Sequence, residues 1–222
     1  MDPSSLAPDF ASVALVTIDT QRDTLDGQPF EVPGTSAALP EMRRLAAAFR
    51  AAGRPIVHVV RLYRPDGSNV DLCRRRAVAD GARLVLAGSP GAELAPGLVP
   101  PNAPGLDTQL LLAGGIQHAG PGEVVVYKPR WGAFFQTPLE AHLRALGVST
   151  LVFSGCNFPN CPRASVYEAS ERDFRIVLVR DAVSGLYERG EQEMRAIGVM
   201  LMDADAVAAR LLARPVGSAG SA

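Results

Sequence analysis

Cysteine is scarce in this chain of 222 residues, and its three copies, Cys73, Cys156 and Cys161, form an odd count without zinc-finger spacing. That argues against a disulfide framework and for a reducing, cytoplasmic compartment. The three histidines, His58, His118 and His142, have no second His or Cys at ligand spacing, so neither a metal centre nor a cofactor is expected. An excess of one charge is missing as well: 22 basic and 23 acidic residues leave a net charge of −1. Only Arg74-Arg75-Arg76 is clustered, and a short run of this kind reads as a solvated helix face rather than a footprint for nucleic acid. No apolar run approaches membrane length, and Met1 to Ser5 carries no basic segment ahead of an apolar one. Neither a membrane span nor a secretory leader is expected.

What the chain does have is length enough for one α/β core and a regular alternation of apolar runs with helical patterns. Val13–Ile18, Pro55–Arg61, Glu123–Tyr127, Ser149–Ser154 and Arg175–Val179 read as strands. Between and after them, helices are expected over Ser36–Ala52, Val70–Gly81, Thr137–Leu146, Cys161–Asp173 and Glu188–Leu212. Thr137, Pro138 and Glu140 have the spacing of a capping box. His58 falls inside an apolar run, where a core histidine bonded to backbone is the plain reading, and His118 is expected in an exposed loop. Leu84–Leu86 is a candidate short strand, Gly88–Gly105 a long loop serving as lid or pocket wall, and Gln109–Ile116 fits strand or helix equally. The expected architecture is a single domain over residues 1–214, a doubly wound, mostly parallel sheet with helices on both faces in a Rossmann-like three-layer arrangement. Residues 215–222 have too little apolar content to pack and are expected to be a disordered tail.

Chemistry-bearing residues recur where these strands end. Asp19 closes the first strand and Lys128 the Glu123–Tyr127 strand, at the edge where open α/β sheets bind ligands. From position alone, Asp19 could equally be a turn or capping aspartate. Gly155-Cys156-Asn157-Phe158-Pro159-Asn160-Cys161-Pro162 leads from a strand into a helix and sets Cys161 at the helix N-terminus. Free N–H groups and the positive end of the dipole favour a thiolate there, which makes Cys161 a candidate nucleophile. Cys156, at a strand end, is expected to be buried. A carboxylate can act as base toward a thiol, a lysine can hold that carboxylate, and N–H groups at the turn can face an oxyanion.

Several of these segments together carry a resemblance: Leu15-Val16-Thr17-Ile18-Asp19-Thr20-Gln21, Lys128 with Ala133-Phe134-Phe135-Gln136-Thr137-Pro138-Leu139, Ser154 to Cys161, and Asp181-Ala182. In order and spacing the chain resembles the isochorismatase-like cysteine hydrolase superfamily, which includes nicotinamidases, ureidoacrylate and N-carbamoyl amidohydrolases and streptothricin hydrolase. The resemblance implies that Asp19 is the base, Lys128 the third triad member and Cys161 the residue that forms a covalent adduct. It also implies a cis Cys156–Asn157 peptide, oxyanion donors at the Asn157 and Cys161 N–H groups, and a homo-oligomer, dimer or tetramer. Arg64-Pro65-Asp66-Gly67-Ser68-Asn69 is similar to the streptothricin hydrolase-like branch. Departures are Gln21-Arg22-Asp23-Thr24, where the family commonly has Gln-Asn-Asp-aromatic, Pro162 after the nucleophile, and no His in Arg61–Asn69, where nicotinamidases hold their metal.

The expected activity is metal-independent cleavage of a C–N bond in a small amide, lactam or carbamoyl substrate through an acyl-enzyme. Gln21, Arg61, Tyr63, Trp131, Phe134, Phe135 and Phe158 are the candidate substrate-binding residues, with core packing the alternative for each aromatic. The rival functions are vinyl ether hydrolysis of the isochorismatase type and a catalytically silent binding protein of the same fold. Fast labelling of Cys161 by an electrophile at neutral pH is expected of the enzyme and not of the binder.

Overall fold

The computed structural model describes residues 6–213. The expected tail at 215–222 lies outside the described residues. Seven strands form one sheet: β1 (Val13–Ile18), β2 (Ile56–Val60), β3 (Ile116–Gly120), β4 (Glu123–Tyr127), β5 (Thr150–Gly155), β6 (Arg175–Val183) and β7 (Met200–Met202). Their order is β3-β4-β2-β1-β5-β6-β7, and every pairing is parallel except β3 with β4. β1 and β5 are buried along their whole length, which is why they appear as unbroken apolar runs rather than as alternation.

Helices cover both faces. On one, α1 (Thr35–Ala51) and α7 (Ala204–Leu212) pack Leu39, Met42, Leu45, Phe49 and Val207 against Leu15, Val152 and Val177. On the other, α4 (Leu139–Ala145), α5 (Cys161–Ser170) and α6 (Glu188–Ala196) bring Leu139, Leu143, Val166, Ala169 and Met194 onto Val16, Ile18, Phe153 and Leu178. From β1 the chain goes outward through β2 and β4, then returns to start β5 on the other side of β1. The β1/β5 boundary is therefore the switch point, where loops diverge and leave a crevice at the C-terminal edge.

Several expectations change. The Glu188–Leu212 pattern is two helices, α6 and α7, with the edge strand β7 between them. Gly198, at φ +84°, breaks the run after α6, and Met200 lies in the strand. Val70–Gly81 holds only a 3-10 turn at Leu72–Arg74 and the short α2 (Arg75–Ala79). Gln109–Ile116 contains both alternatives in sequence, α3 (Thr108–Leu112) followed by the first residue of β3, and His118 is an exposed strand residue rather than a loop one. Leu84–Leu86 contributes one isolated bridge, Leu86 to Tyr63. No capping box forms, because Thr137 donates to the Ala133 carbonyl at 2.6 Å while Glu140 pairs with Arg172.

His58 is in the core, but its partners are side chains. Nδ1 meets Thr17 Oγ1 at 2.7 Å and Nε2 meets Glu123 Oε1 at 2.7 Å, while Arg50 donates to both Glu123 oxygens. Burial pushes His58 down despite Glu123, so it stays neutral. Burial alone would raise Glu123, yet its bonds to Arg50 and His58 hold it at about 2.

Candidate active site

Three loops meet at the switch point. The end of β1 is shaped by backbone: Asp19 takes φ +49°, its N–H donates to Val59 O at 2.9 Å, and its own carbonyl accepts from Gln21 N–H at 2.9 Å. Against this turn lies the end of β5. Gly155 has φ +121°, and a Cβ there would stand 2.1 Å from the Ile18 carbonyl oxygen, so only glycine lets the two strand ends approach. Cys156 N–H then donates to Ile18 O at 2.9 Å and its Sγ–H to Asp19 O at 3.0 Å, and the Cys156–Asn157 peptide is cis. Cys156 is buried and its thiol is pushed up to about 12, by burial first and then by the Asp19 charge.

Lys128 leaves the end of β4 fully buried, its Nζ 2.9 Å from Asp19 Oδ2 and 3.1 Å from the Arg130 carbonyl. Asp19 Oδ1 is buried and accepts no hydrogen bond among the described residues. Cys161, the first residue of α5, is 6% exposed and lines the same small cavity as Asp19. Burial raises its thiol to about 12, and the nearby Asp19 carboxylate adds to this more than Lys128 and Arg61 take away. Burial and the neighbouring carboxylate thus act against the thiolate expected at the helix start. Slow labelling at neutral pH consequently does not mark a silent binder.

The amide N–H groups of Asn157 and Cys161 donate to no backbone acceptor among the described residues, while Phe158 N–H is taken by Ser184 O and Asn160 N–H by Asn157 O. Two free donors therefore flank the thiol-bearing turn. The cavity encloses about 30 Å³ and is lined by Asp19, Cys161, Asn157, Arg61, Arg74 and Trp131, with Phe30, Val32 and Val85 closing it from the loops.

The candidate substrate-binding residues divide. Arg61 and Trp131 line the cavity. Gln21 lines it too, but its amide is committed to the frame: it accepts from Arg61 N–H and donates to Arg61 O and Ala92 O, tying β1, β2 and the 88–105 loop together. The other four are corrected. Tyr63 is buried and donates to Asp71 at 2.6 Å; Phe134 packs on Phe174; Phe158 is fully buried edge-on to Tyr187; and Phe135 faces solvent, 44% exposed. None of the four lines the cavity.

An isochorismatase domain matches residues 13–206 of this chain. The chain belongs to the isochorismatase family. Ureidoacrylate amidohydrolase RutB of Methylobacterium radiotolerans is 30% identical over 200 residues, 81% of this chain and 70% of that protein. Maleamate amidohydrolase of Pseudomonas putida is 31% identical over 172 residues, 77% and 71% of the two chains. Among solved structures, an isochorismatase family protein from Desulfovibrio vulgaris superposes with a TM-score of 0.77 at 35% identity, covering 91% of this chain and 99% of that one.

Two residues of this isochorismatase family member escaped the sequence reading, Asp71 and Arg74. Asp71 accepts from Arg61 Nη1 at 3.0 and 2.9 Å, from Tyr63 and from Arg74 Nη1 at 3.1 Å. Burial would raise its carboxyl, but these donors hold it below the ordinary range. Arg74, expected to point outward with its neighbours, lies against both Phe30 and Trp131, 4.8 Å from each ring centroid. The signal was there only as an acid three residues before a basic run. No group of three potential metal-ligating side chains occurs among the described residues, and no helix among them is long and apolar enough to cross a membrane.

Proposed function

We propose that this protein is a cysteine hydrolase that cleaves a non-peptide C–N bond of a small amide, lactam or carbamoyl compound through an acyl-enzyme on Cys161. The observation that carries the reading is the buried Lys128–Asp19 ion pair beside the Cys161 thiol at the β1/β5 switch point. The relatives named as ureidoacrylate and maleamate amidohydrolases support the reaction class.

In this mechanism the Asp19 carboxylate takes the thiol proton as Sγ attacks the substrate carbonyl carbon. Aspartate and thiol become aspartic acid and thiolate, so one negative charge moves and none is created inside the cavity. Lys128 stabilises that charge on either partner. The oxyanion that forms is held by the Asn157 and Cys161 N–H groups. Collapse breaks the C–N bond, and the leaving nitrogen takes the proton from Asp19, leaving a thioester. Asp19, again ionised, removes a proton from water as it attacks the thioester, and the thiol leaves reprotonated. Every step uses groups of this chain, and none needs a metal.

A panel of amides, lactams and carbamoyl compounds assayed with wild type and Cys161→Ala tests the proposal, with intact-mass detection of the acyl adduct. Turnover that survives Cys161→Ala sinks it. A homo-oligomer and a cytoplasmic location remain part of the proposal, resting on the family resemblance and on the odd cysteine count; light scattering of the purified chain tests the first.

A further inference from the structure

Among the described residues, four that are not glycine take a positive φ: Asp19, Val85, Gln136 and Asp173. Asp19 and Val85 both line the cavity at the switch point, and Val85, at φ +39°, is the β-branched one. A branched side chain is a steric outlier there and persists only where its surroundings hold it. Two hydrogen bonds do so. Val85 N–H donates to Asp23 Oδ2 at 2.7 Å, and Val85 O accepts from Tyr63 N–H at 3.0 Å. The side chain packs with Tyr63, Val70 and Leu84 and is buried.

Asp23 is itself fixed. It is buried in the 3-10 turn Arg22–Thr24, and a Cβ at Gly91 would stand 1.8 Å from its Oδ1, so the 88–105 loop closes against its carboxylate. From the same turn, the Asp23 carbonyl accepts from Phe30 N–H at 3.1 Å and the Thr24 carbonyl from Val32 N–H at 3.0 Å. Phe30, Val32 and Val85, which close the cavity from the loops, thus hang from one turn. The first two bonds use backbone carbonyls, which any residue at 23 and 24 supplies. Only the bond to Val85 needs the Asp23 carboxylate, and Asp23 does not line the cavity.

We propose that Val85 sets how large a substrate the cavity admits, and that Asp23 is the positioning residue that holds Val85 in place. This rests on the hydrolase reading above and adds its size limit. The enclosed volume of about 30 Å³ is room for roughly two waters, so each carbon on the wall counts. Asp19, Asn157 and Cys161 are occupied by the reacting group, and the rest of a substrate meets the loop residues. A backbone at 85 that relaxed to negative φ would carry the branched side chain off the wall; the Asp23 carboxylate prevents it.

The test reads the ratio of kcat/KM for acetamide to that for pentanamide. Val85→Ala should lower the ratio by about 10-fold or more, the weight of one or two methylenes in an apolar pocket. Asp23→Ala should lower it too, without touching substrate, whereas Asp23→Asn keeps an acceptor oxygen and should retain most of the wild-type ratio. In the double variant Asp23→Ala/Val85→Ala the ratio should match that of Val85→Ala, whereas independent effects would multiply. General loosening of the fold lowers both rates and leaves their ratio in place. A second readout does not need hydrolysis: alkylation of Cys161 by iodoacetamide and by N-cyclohexyl iodoacetamide at a fixed alkaline pH, resolved by site with mass spectrometry. Val85→Ala should raise the relative rate of the bulky reagent by about 10-fold. Val85→Gly, which suits a positive φ, decides the matter if Val85→Ala does not fold. If wild type turns over no amide while the alkylation ratio shifts as stated, the hydrolase reading falls and the size limit stands. Ratios unmoved by the Val85 variants in both readouts would overturn the size limit. A ratio moved by Val85→Ala but not by Asp23→Ala would overturn the role of Asp23.

Discussion

The resting protonation of Cys161 yields a measurable prediction that separates two roles for Asp19. An ordinary cysteine, at 9.0, is half ionised at that pH, whereas a thiol raised to about 12 is ionised in about one molecule in a thousand. The difference corresponds to about 4 kcal/mol against the thiolate, contributed first by burial and next by the Asp19 charge. Thiolate absorbance in the ultraviolet, taken as wild type minus Cys161→Ala across a pH titration, reads this directly. The difference spectrum should stay flat through the neutral range and rise only at the alkaline limit. Asp19→Asn removes a negative neighbour but keeps Lys128 and Arg61, so the inflection should fall by about one pH unit or more. That variant should nevertheless be inactive, because in the proposed mechanism more thiolate does not replace a base that later feeds the leaving nitrogen and activates water. An inflection near neutrality in wild type would refute the resting-thiol argument. An upward shift in Asp19→Asn would show instead that Asp19 ionises the thiol at rest.

Other perturbations follow from single contacts. Lys128→Met strands the Asp19 carboxylate in the cavity, so steady-state kinetics should show at least about a hundredfold loss of kcat/KM, and denaturant titration a loss of about 3–5 kcal/mol; near-normal rates would remove Lys128 from the proposed triad. Glu123, held at about 2 against an ordinary 4.5, contributes about 3 kcal/mol of stability above pH 4.5 that is lost as pH falls toward 2. The stability gap between wild type and Glu123→Gln should therefore close over that acid window, and a gap constant with pH contradicts the assignment. Gly155→Ala places a methyl 2.1 Å from the Ile18 carbonyl oxygen, so a stability loss of about 1–3 kcal/mol is expected, with activity falling as the thiol-bearing turn shifts. Phe135→Ala, an exposed residue away from the cavity, should leave kcat/KM within about twofold, the ordinary outcome of a surface substitution.

How far the sequence carried depends on the range of the interaction behind each feature. β1 and β5 were legible because their burial on both faces is written as contiguous apolar residues, and Asp19, Lys128 and Cys161 because strand ends locate them in the chain. The α6–β7–α7 segment was misread because Met194, Ile197 and Leu201 satisfy helical spacing, although Gly198 already offered a stop. Arg74 was illegible for a different reason. Its sequence neighbours are arginines, but its partners are Asp71, Tyr63, Phe30 and Trp131, and Phe30 and Trp131 reach it from distant loops. The same distinction explains the thiol. A helix start is a local feature that any sequence shows, whereas burial and the approach of Asp19 exist only once β1 and β5 lie side by side. Burial and Asp19 thus oppose the local argument at the same cysteine. A permanent thiolate would add a second anion to a cavity whose lysine already serves Asp19, whereas a shared proton lets one buried charge serve both partners in turn.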